Sequence, residues 1–254
     1  MNHQTKAPQA LTIVGPGRVG TSIAKAAAAS GIAVEVLGRD FDPSALVSRT
    51  VLICVPDSSI AEVAGRIAHA ESKPKFTGHS SGAGSLDLLA GSQTDGAFSL
   101  HPLQTVPDGS SDLSGCPGAI AGSTAEALAM AGGLADSIGM QPFEIAEADR
   151  AVYHAAASIA SNYLVTLEQT AADLLAGIGV DDPRTVLGPL VRRSLENWQV
   201  RGPAALTGPI TRGDEDTVST HRQALSRTRP DLLPMYDAMA ERTRYLVASA
   251  GDPA

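Results

Sequence analysis

Three polar side chains interrupt an alanine-rich stretch at steps of four residues: His154, Ser158 and Asn162. On an α-helix that spacing puts them on one face, about 6 Å apart per step. An imidazole ionises near neutral pH and can give a proton to an oxygen that is gaining charge, while a carboxamide can hold that oxygen in place. His101, in the run HPLQT, and His79, in the run HSSGA, offer the same imidazole chemistry from the ends of apolar strands. A further group lies in residues 206–214, LTGPITRGD, too rich in turn formers for a helix interior. Arg212 there is suited to fork onto a substrate carboxylate, and Thr207 or Asp214 to bond a hydroxyl. These residues also have plainer uses, a histidine that packs against its neighbours or an Asp214 that caps the following helix.

A second constellation stands near the start of the chain. Residues 11–14 form an apolar strand that runs into Gly15-Pro16-Gly17-Arg18-Val19-Gly20 and then into an Ala-rich helix at 21–30. Gly15 suits the tight turn, Gly17 lets backbone approach a pyrophosphate, Gly20 lets helix lie close on strand, and the helix start with Arg18 and Val19 faces an anion. The pattern predicts a dinucleotide site, which Val55, Pro56 and Asp57 border from the end of the third strand, with Asp57 or Ser58 capping the helix that follows. Strand two ends in Leu37-Gly38-Arg39, where an arginine accommodates the 2′-phosphate of NADP; Asp40, one residue on, would instead favour NAD. NADP is the expected cofactor and NAD the less favoured one.

The elements that must hold these groups follow from periodicity. Strands are expected at 11–14, 33–37, 50–55, 75–78, 97–100, 119–121 and 141–145, with helices at 21–30, 58–69, 86–90 and 125–138. After about residue 146 the pattern turns helical, at 147–178, 183–198, 217–227 and 230–249. The fold class is therefore α/β: a Rossmann, doubly wound sheet over residues 1–146, then an all-helical domain over 147–254 that takes substrate and dimerises. The polar stripe of the first late helix should face the cofactor, opposite His101 and the turn at 57–60.

Composition narrows the partners. The 254 residues suffice for two domains with cores of their own. A formal charge of −8 argues against nucleic acid or an anionic membrane. No apolar run approaches a membrane span and no signal-peptide core is evident, so a soluble, cytoplasmic protein is expected. The two cysteines, Cys54 and Cys116, read as reduced and lack metal-ligand spacing, so no metal is expected.

The glycine turn, the CVPDSSI segment at 54–60 and the helical second half resemble the 6-phosphogluconate dehydrogenase-like superfamily, which includes ketopantoate and pyrroline-5-carboxylate reductases. HSSGA, HPLQT, YHAAAS with SN, and LTGPITRGD are similar to a bacterial group of Rossmann-like oxidoreductases with a C-terminal domain of unknown function, some associated with pantothenate synthesis. The resemblance implies an NADP-dependent reductase of a small keto acid, ketopantoate being the favoured substrate, and a homodimer. In the better-known families a Lys-x-x-x-Asn supplies the acid and a substrate ligand. Asn162 matches that Asn, whereas Ser158 stands where the Lys is expected. The four lysines are Lys6, Lys25, Lys73 and Lys75, none in the second half. His154, then His101, then His79 are the candidates for the missing acid; a nucleotide-sensing regulator without turnover is the alternative.

Overall fold

The computed structural model describes residues 7–250. Seven strands, β1 (Ala10–Val14), β2 (Ala33–Leu37), β3 (Thr50–Ile53), β4 (Phe76–His79), β5 (Gly96–Pro102), β6 (Pro117–Gly122) and β7 (Gln141–Glu144), form one sheet in the order β2-β1-β3-β4-β5-β6-β7. The first five are parallel, β6 runs against β5, and β7 is parallel to β6. The chain reverses its direction of travel across the sheet between β1 and β3, the point where open α/β sheets take ligands.

Period-two alternation explains why both faces are covered. Leu11 and Ile13 of β1, Leu52 of β3 and Phe98 and Leu100 of β5 point into one core, under α1 (Arg18–Ala29) and α3 (Ala125–Ser137). Val14, Val51 and Ile53 point into the other, under α2 (Ile60–Ile67). Each fully buried Leu or Ile contributes about 1.5–3 kcal/mol.

Several boundaries differ from expectation. Strand β3 stops at Ile53, although the Cys54 N–H still donates to Val14 O at 2.7 Å; the turn toward Pro56 then leaves the ladder. Strand β5 runs on to Pro102, because β4 pairs only as far as Ser99 and beyond it the proline lies at a free edge while β6 pairs on the other side. Residues 86–92 form a 3₁₀ rather than an α turn. The helix expected over 147–178 is composite: a 3₁₀ turn at Glu147–Asp149, α4 (Arg150–Ser158), a π turn at Ile159–Tyr163 and α5 (Leu164–Gly177).

The chain divides into two compact units at Leu164 and Val165, so α4 and the π turn group with the sheet. The second unit holds α6 (Pro183–Arg201), α7 (Glu215–Thr228) and α8 (Leu233–Ala250). It buries few apolar side chains, Ala172, Val218, Leu225 and Ala240 among them, and leaves Val186, Leu190, Trp198 and Val200 of α6 exposed. No helix of the described residues is long and apolar enough to cross a membrane.

Candidate functional site

At the end of β1 the glycine turn behaves as its spacing suggests. Gly15 has φ +111°, and a Cβ there would stand 2.6 Å from Cys54 O. Gly20 lies so close to the turn that a Cβ would overlap Gly15 O, which is how α1 is seated on β1. Gly17 needs no unusual conformation, with φ −72°, and its missing side chain leaves the outer face open. No side chain caps α1 and its first turn carries no acid, so the N–H groups around Arg18 and Val19 are presented outward. Gly15 N also donates to Leu37 O at 2.8 Å, holding the end of β2 beside the turn. Arg39 follows there, exposed and only loosely paired with Asp40 at 3.9 Å.

A cavity of about 740 Å³ lies within the first unit. Arg18 borders it, residues 101–107 form one wall, and Tyr153, His154, Ser158, Ser161 and Asn162 form the other. The stripe at 154, 158 and 162 thus shares one cavity with His101 and the glycine turn. The π turn widens the helix by one residue at this point, which lets Ser161 and Asn162 both reach the wall. Among the described residues no cluster of His, Cys, Asp or Glu could hold a metal.

Side-chain register fixes that wall. Ser99 and His101, two apart on β5, share one face of the sheet; Arg150 and Tyr153, three apart on α4, share one face of the helix. Arg150 donates to Ser99 Oγ, and His101 Nδ1 lies 2.6 Å from Tyr153 Oη. Arg150 is buried, pairs with Glu147 Oε1 at 2.5 Å, and the other oxygen of Glu147 accepts from Leu86 N at 2.8 Å. This pair, buried on the Arg150 side only, stitches the start of α4 to the sheet and to the 86–92 turn. Neither Arg150 nor Tyr153 stood out in the sequence. The i,i+3 spacing of Glu147 and Arg150 at a helix start was the available signal for the first, and the aromatic beside His154 for the second.

Burial sets the protonation. The His101 pKa is lowered to about 4, first by desolvation and then by His154 and Arg150, with Asp57 opposing. Burial pushes the Tyr153 hydroxyl up to about 12. Both are neutral at pH 7, joined by one proton.

Three expected contacts take other roles. His79 is fully buried: its Nε2 donates to Ser85 O at 3.3 Å and its Nδ1 accepts from Ser81 N at 3.2 Å, so it braces the HSSGA loop and does not line the cavity. Its pKa is lowered to about 4, chiefly by desolvation. Asp57 does not cap α2; it sits in a 3₁₀ turn and accepts from Ser81 Oγ at 2.8 Å. Asp214 does cap α7, its two oxygens taken by Thr217 N at 3.0 Å and Thr217 Oγ1 at 2.7 Å, which leaves it poorly placed to bind a hydroxyl. Thr207 and Arg212 are exposed on the shaped turn before it, within the second unit.

The sequence model of the family described as a domain of unknown function, DUF2520, matches residues 116–243. No curated protein matches the chain. Among solved structures, the candidate NADP oxidoreductase BF3122 from Bacteroides fragilis superposes with a TM-score of 0.79 at 20% identity, covering 95% of this chain and 100% of the other. Protein TM1727 from Thermotoga maritima gives 0.77 at 21% over 95% and 100%. The pyrroline carboxylate reductase of Plasmodium falciparum, crystallised with NADP bound, gives 0.60 at 13% over 93% and 97%. These likenesses establish a shared fold, a Rossmann unit followed by helices.

Proposed function

The chain belongs to the DUF2520 family, and on that premise we propose that it is an NADP-dependent reductase of a small carbonyl or imine acid, ketopantoate being the favoured substrate. The observation that carries this reading is the single cavity shared by Arg18 of the glycine turn, His101, Tyr153, His154 and Asn162. The uncapped, acid-free start of α1 and the open face of Gly17 fit a pyrophosphate, and Arg39 and Arg18 fit the 2′-phosphate. A reduced nicotinamide, when bound, supplies a hydride to the substrate carbon. The chain's own contribution is a cation for the acid group, a carboxamide at Asn162 for the reacting oxygen, and a proton. Two of the structures compared above carry an NADP description of their own, which supports the cofactor choice.

NADPH should bind at least about tenfold more tightly than NADH by calorimetry, a difference of about 1.4 kcal/mol, and Arg39→Ala should erase the gap. Equal affinities in the unaltered protein would remove the NADP assignment. Single-turnover oxidation of NADPH across a panel of keto acids and cyclic imines tests the reaction itself. If none is consumed while NADPH binds, the nucleotide-sensing reading takes over.

The same reading includes a homodimer in the cytoplasm. A second copy of this chain is the partner that fits the exposed Val186, Leu190, Trp198 and Val200 of α6. Light scattering at micromolar concentration should give twice the chain mass; a monomer mass removes the claim.

A further inference from the structure

The HSSGA segment meets the cavity histidines from behind, and what it brings there is the absence of a side chain. Gly82 is buried and is not one of the residues that line the cavity. A Cβ at this place would stand 2.8 Å from His154 Cδ2, 2.9 Å from His101 Nε2 and 3.0 Å from His101 Cε1. Carbon atoms in contact settle about 3.5–4.0 Å apart, so a methyl group would overlap both imidazoles at once. Among the described glycines, Gly82 is the one whose missing side chain would meet two histidines. The rings, 6.3 Å apart between centroids and 73° to one another, thus converge on a glycine.

Two further observations decide which side would give way. The loop is pinned on both flanks of the glycine: Ser80 N donates to Ile53 O at 3.0 Å, Ser81 N to His79 Nδ1 at 3.2 Å, Ser81 Oγ to Asp57 Oδ2 at 2.8 Å, and Gly84 N to Ser81 Oγ at 2.8 Å. It cannot retreat without breaking these bonds. Gly82 is also absent from the positive-φ glycines, so its backbone takes a larger residue without strain. The glycine serves here as space and not as conformation. The rings are the parties that must move, and His101 is the less free of the two, since its Nδ1 is held 2.6 Å from the Tyr153 oxygen whichever atom donates.

We propose that Gly82 is a positioning residue of the reaction: by leaving room for both rings it sets where His101 and His154 stand at the cavity wall. The proposal rests on the reductase reading and adds the residue that fixes the spacing of the cavity imidazoles, whichever group gives the proton. Ser81 ties the loop to Asp57 in the turn after β3, so the spacing is set from the end of the sheet and not from α4 alone. A side chain at 82 displaces the imidazoles by about 1 Å and leaves the loop where it is. Displacement on that scale is enough to spoil the alignment of a reacting group with its substrate.

The first test uses full-length protein without cofactor, the histidine ring signals in nuclear magnetic resonance being assigned by their loss in single His→Asn variants. Gly82→Ala should move the signals of His101 and His154 and leave those of His69 and His221 in place; unmoved His101 and His154 signals overturn the proposal whatever the activity. The second test follows single-turnover NADPH oxidation with the keto-acid panel. Gly82→Ala should be slower by about 100-fold, the scale of a misplacement of about 1 Å, with NADPH affinity by nicotinamide fluorescence within about twofold. A Gly82→Ala protein that turns over like the unaltered one overturns the positioning role, as does one whose NADPH affinity falls in step with its turnover. The third test measures urea midpoints in a His154→Ala background, which lacks the nearest of the three ring atoms. Gly82→Ala should lower the midpoint less there than in the unaltered protein, and the comparison holds even where Gly82→Ala alone does not fold; equal lowering overturns the contact. If the unaltered protein oxidises no NADPH, the reductase reading fails, and the ring signals and midpoints alone still support or overturn the spacing.

Discussion

Among the described residues the same pair of side chains meets twice. His101 and Tyr153 meet at 2.6 Å with rings at 86°, and His221 and Tyr236 meet at 2.9 Å with rings also at 86°. The first pair joins a strand to a helix at the wall of a cavity. The second joins α7 to α8, with His221 exposed and flanked by surface ion pairs, Arg222 with Asp237 at 2.8 Å and Arg244 with Glu215 at 2.8 Å. Contact geometry is nearly identical, yet the first pair has the pKa of its histidine pulled down to about 4 by burial at a cavity wall, whereas the second lies exposed. Water around the second screens what the protein excludes from the first. A His–Tyr contact is therefore ordinary surface chemistry until burial fixes the charge of its members.

The largest contrast should appear in turnover. Tyr236→Phe is expected to leave NADPH oxidation unchanged where Tyr153→Phe, which takes from His101 its partner at the cavity wall, slows it about tenfold or more, the scale of one hydrogen bond, and equal losses would break the comparison. Asn162→Ala, on the same wall as Tyr153, should lower turnover by roughly tenfold to a thousandfold with NADPH affinity nearly unchanged.

Acid is the next lever. His79 is neutral in the folded state with a pKa lowered to about 4, against about 6.5 in the unfolded chain, so the unfolded chain binds more protons between those values. The stabilisation is complete above about pH 6.5 and is lost as pH falls toward 4, with about 3 kcal/mol at stake for His79 and a further loss from His101. Urea midpoints measured from pH 7.5 to 4.5 should decline, and His79→Gln should flatten the slope, whereas His221→Gln should not. Smaller still is the contrast between arginines. Arg150→Leu should cost about 1–3 kcal/mol, because Ser99 and Glu147 lose a buried partner, though Glu147 is part-solvated. Arg222→Ala, at an exposed and screened pair, should move the urea midpoint much less than Arg150→Leu does.

Much of this was visible in the chain before folding was considered. The glycine turn, the alternation that covers both sheet faces, and the 154, 158, 162 stripe are local patterns, and local patterns survive because the backbone enforces them. Tyr153 was invisible as a chemical group because its partner is 52 residues away and only the seating of α4 on β5 brings the two together. The π turn left no mark in composition; one extra residue in a helical turn changes no periodicity that residues 159–163 display. His79 looked like His101 in sequence, since both follow apolar strands. Their fates differ because β4 ends under the HSSGA loop, whereas β5 extends beyond its neighbour to the cavity rim.

One segment joins the cavity to the glycine turn's helix. Between β5 and β6, residues 103–107 wall the cavity, and a few residues later the loop lies on α1: Asp108 O is 3.4 Å from Ser22 Oγ, and a Cβ on Gly109 would stand 2.9 Å from Thr21 Cβ. The first turn of α1 and the cavity wall thus share a single stretch of backbone, tied at its base by Leu103 N to Pro117 O at 2.8 Å and across its width by Gln104 to Asp112 O at 2.8 Å. An occupant at either place that stiffened that stretch would leave less of it for a second occupant to order. Any such effect on affinity would be mutual and of equal factor by thermodynamic linkage.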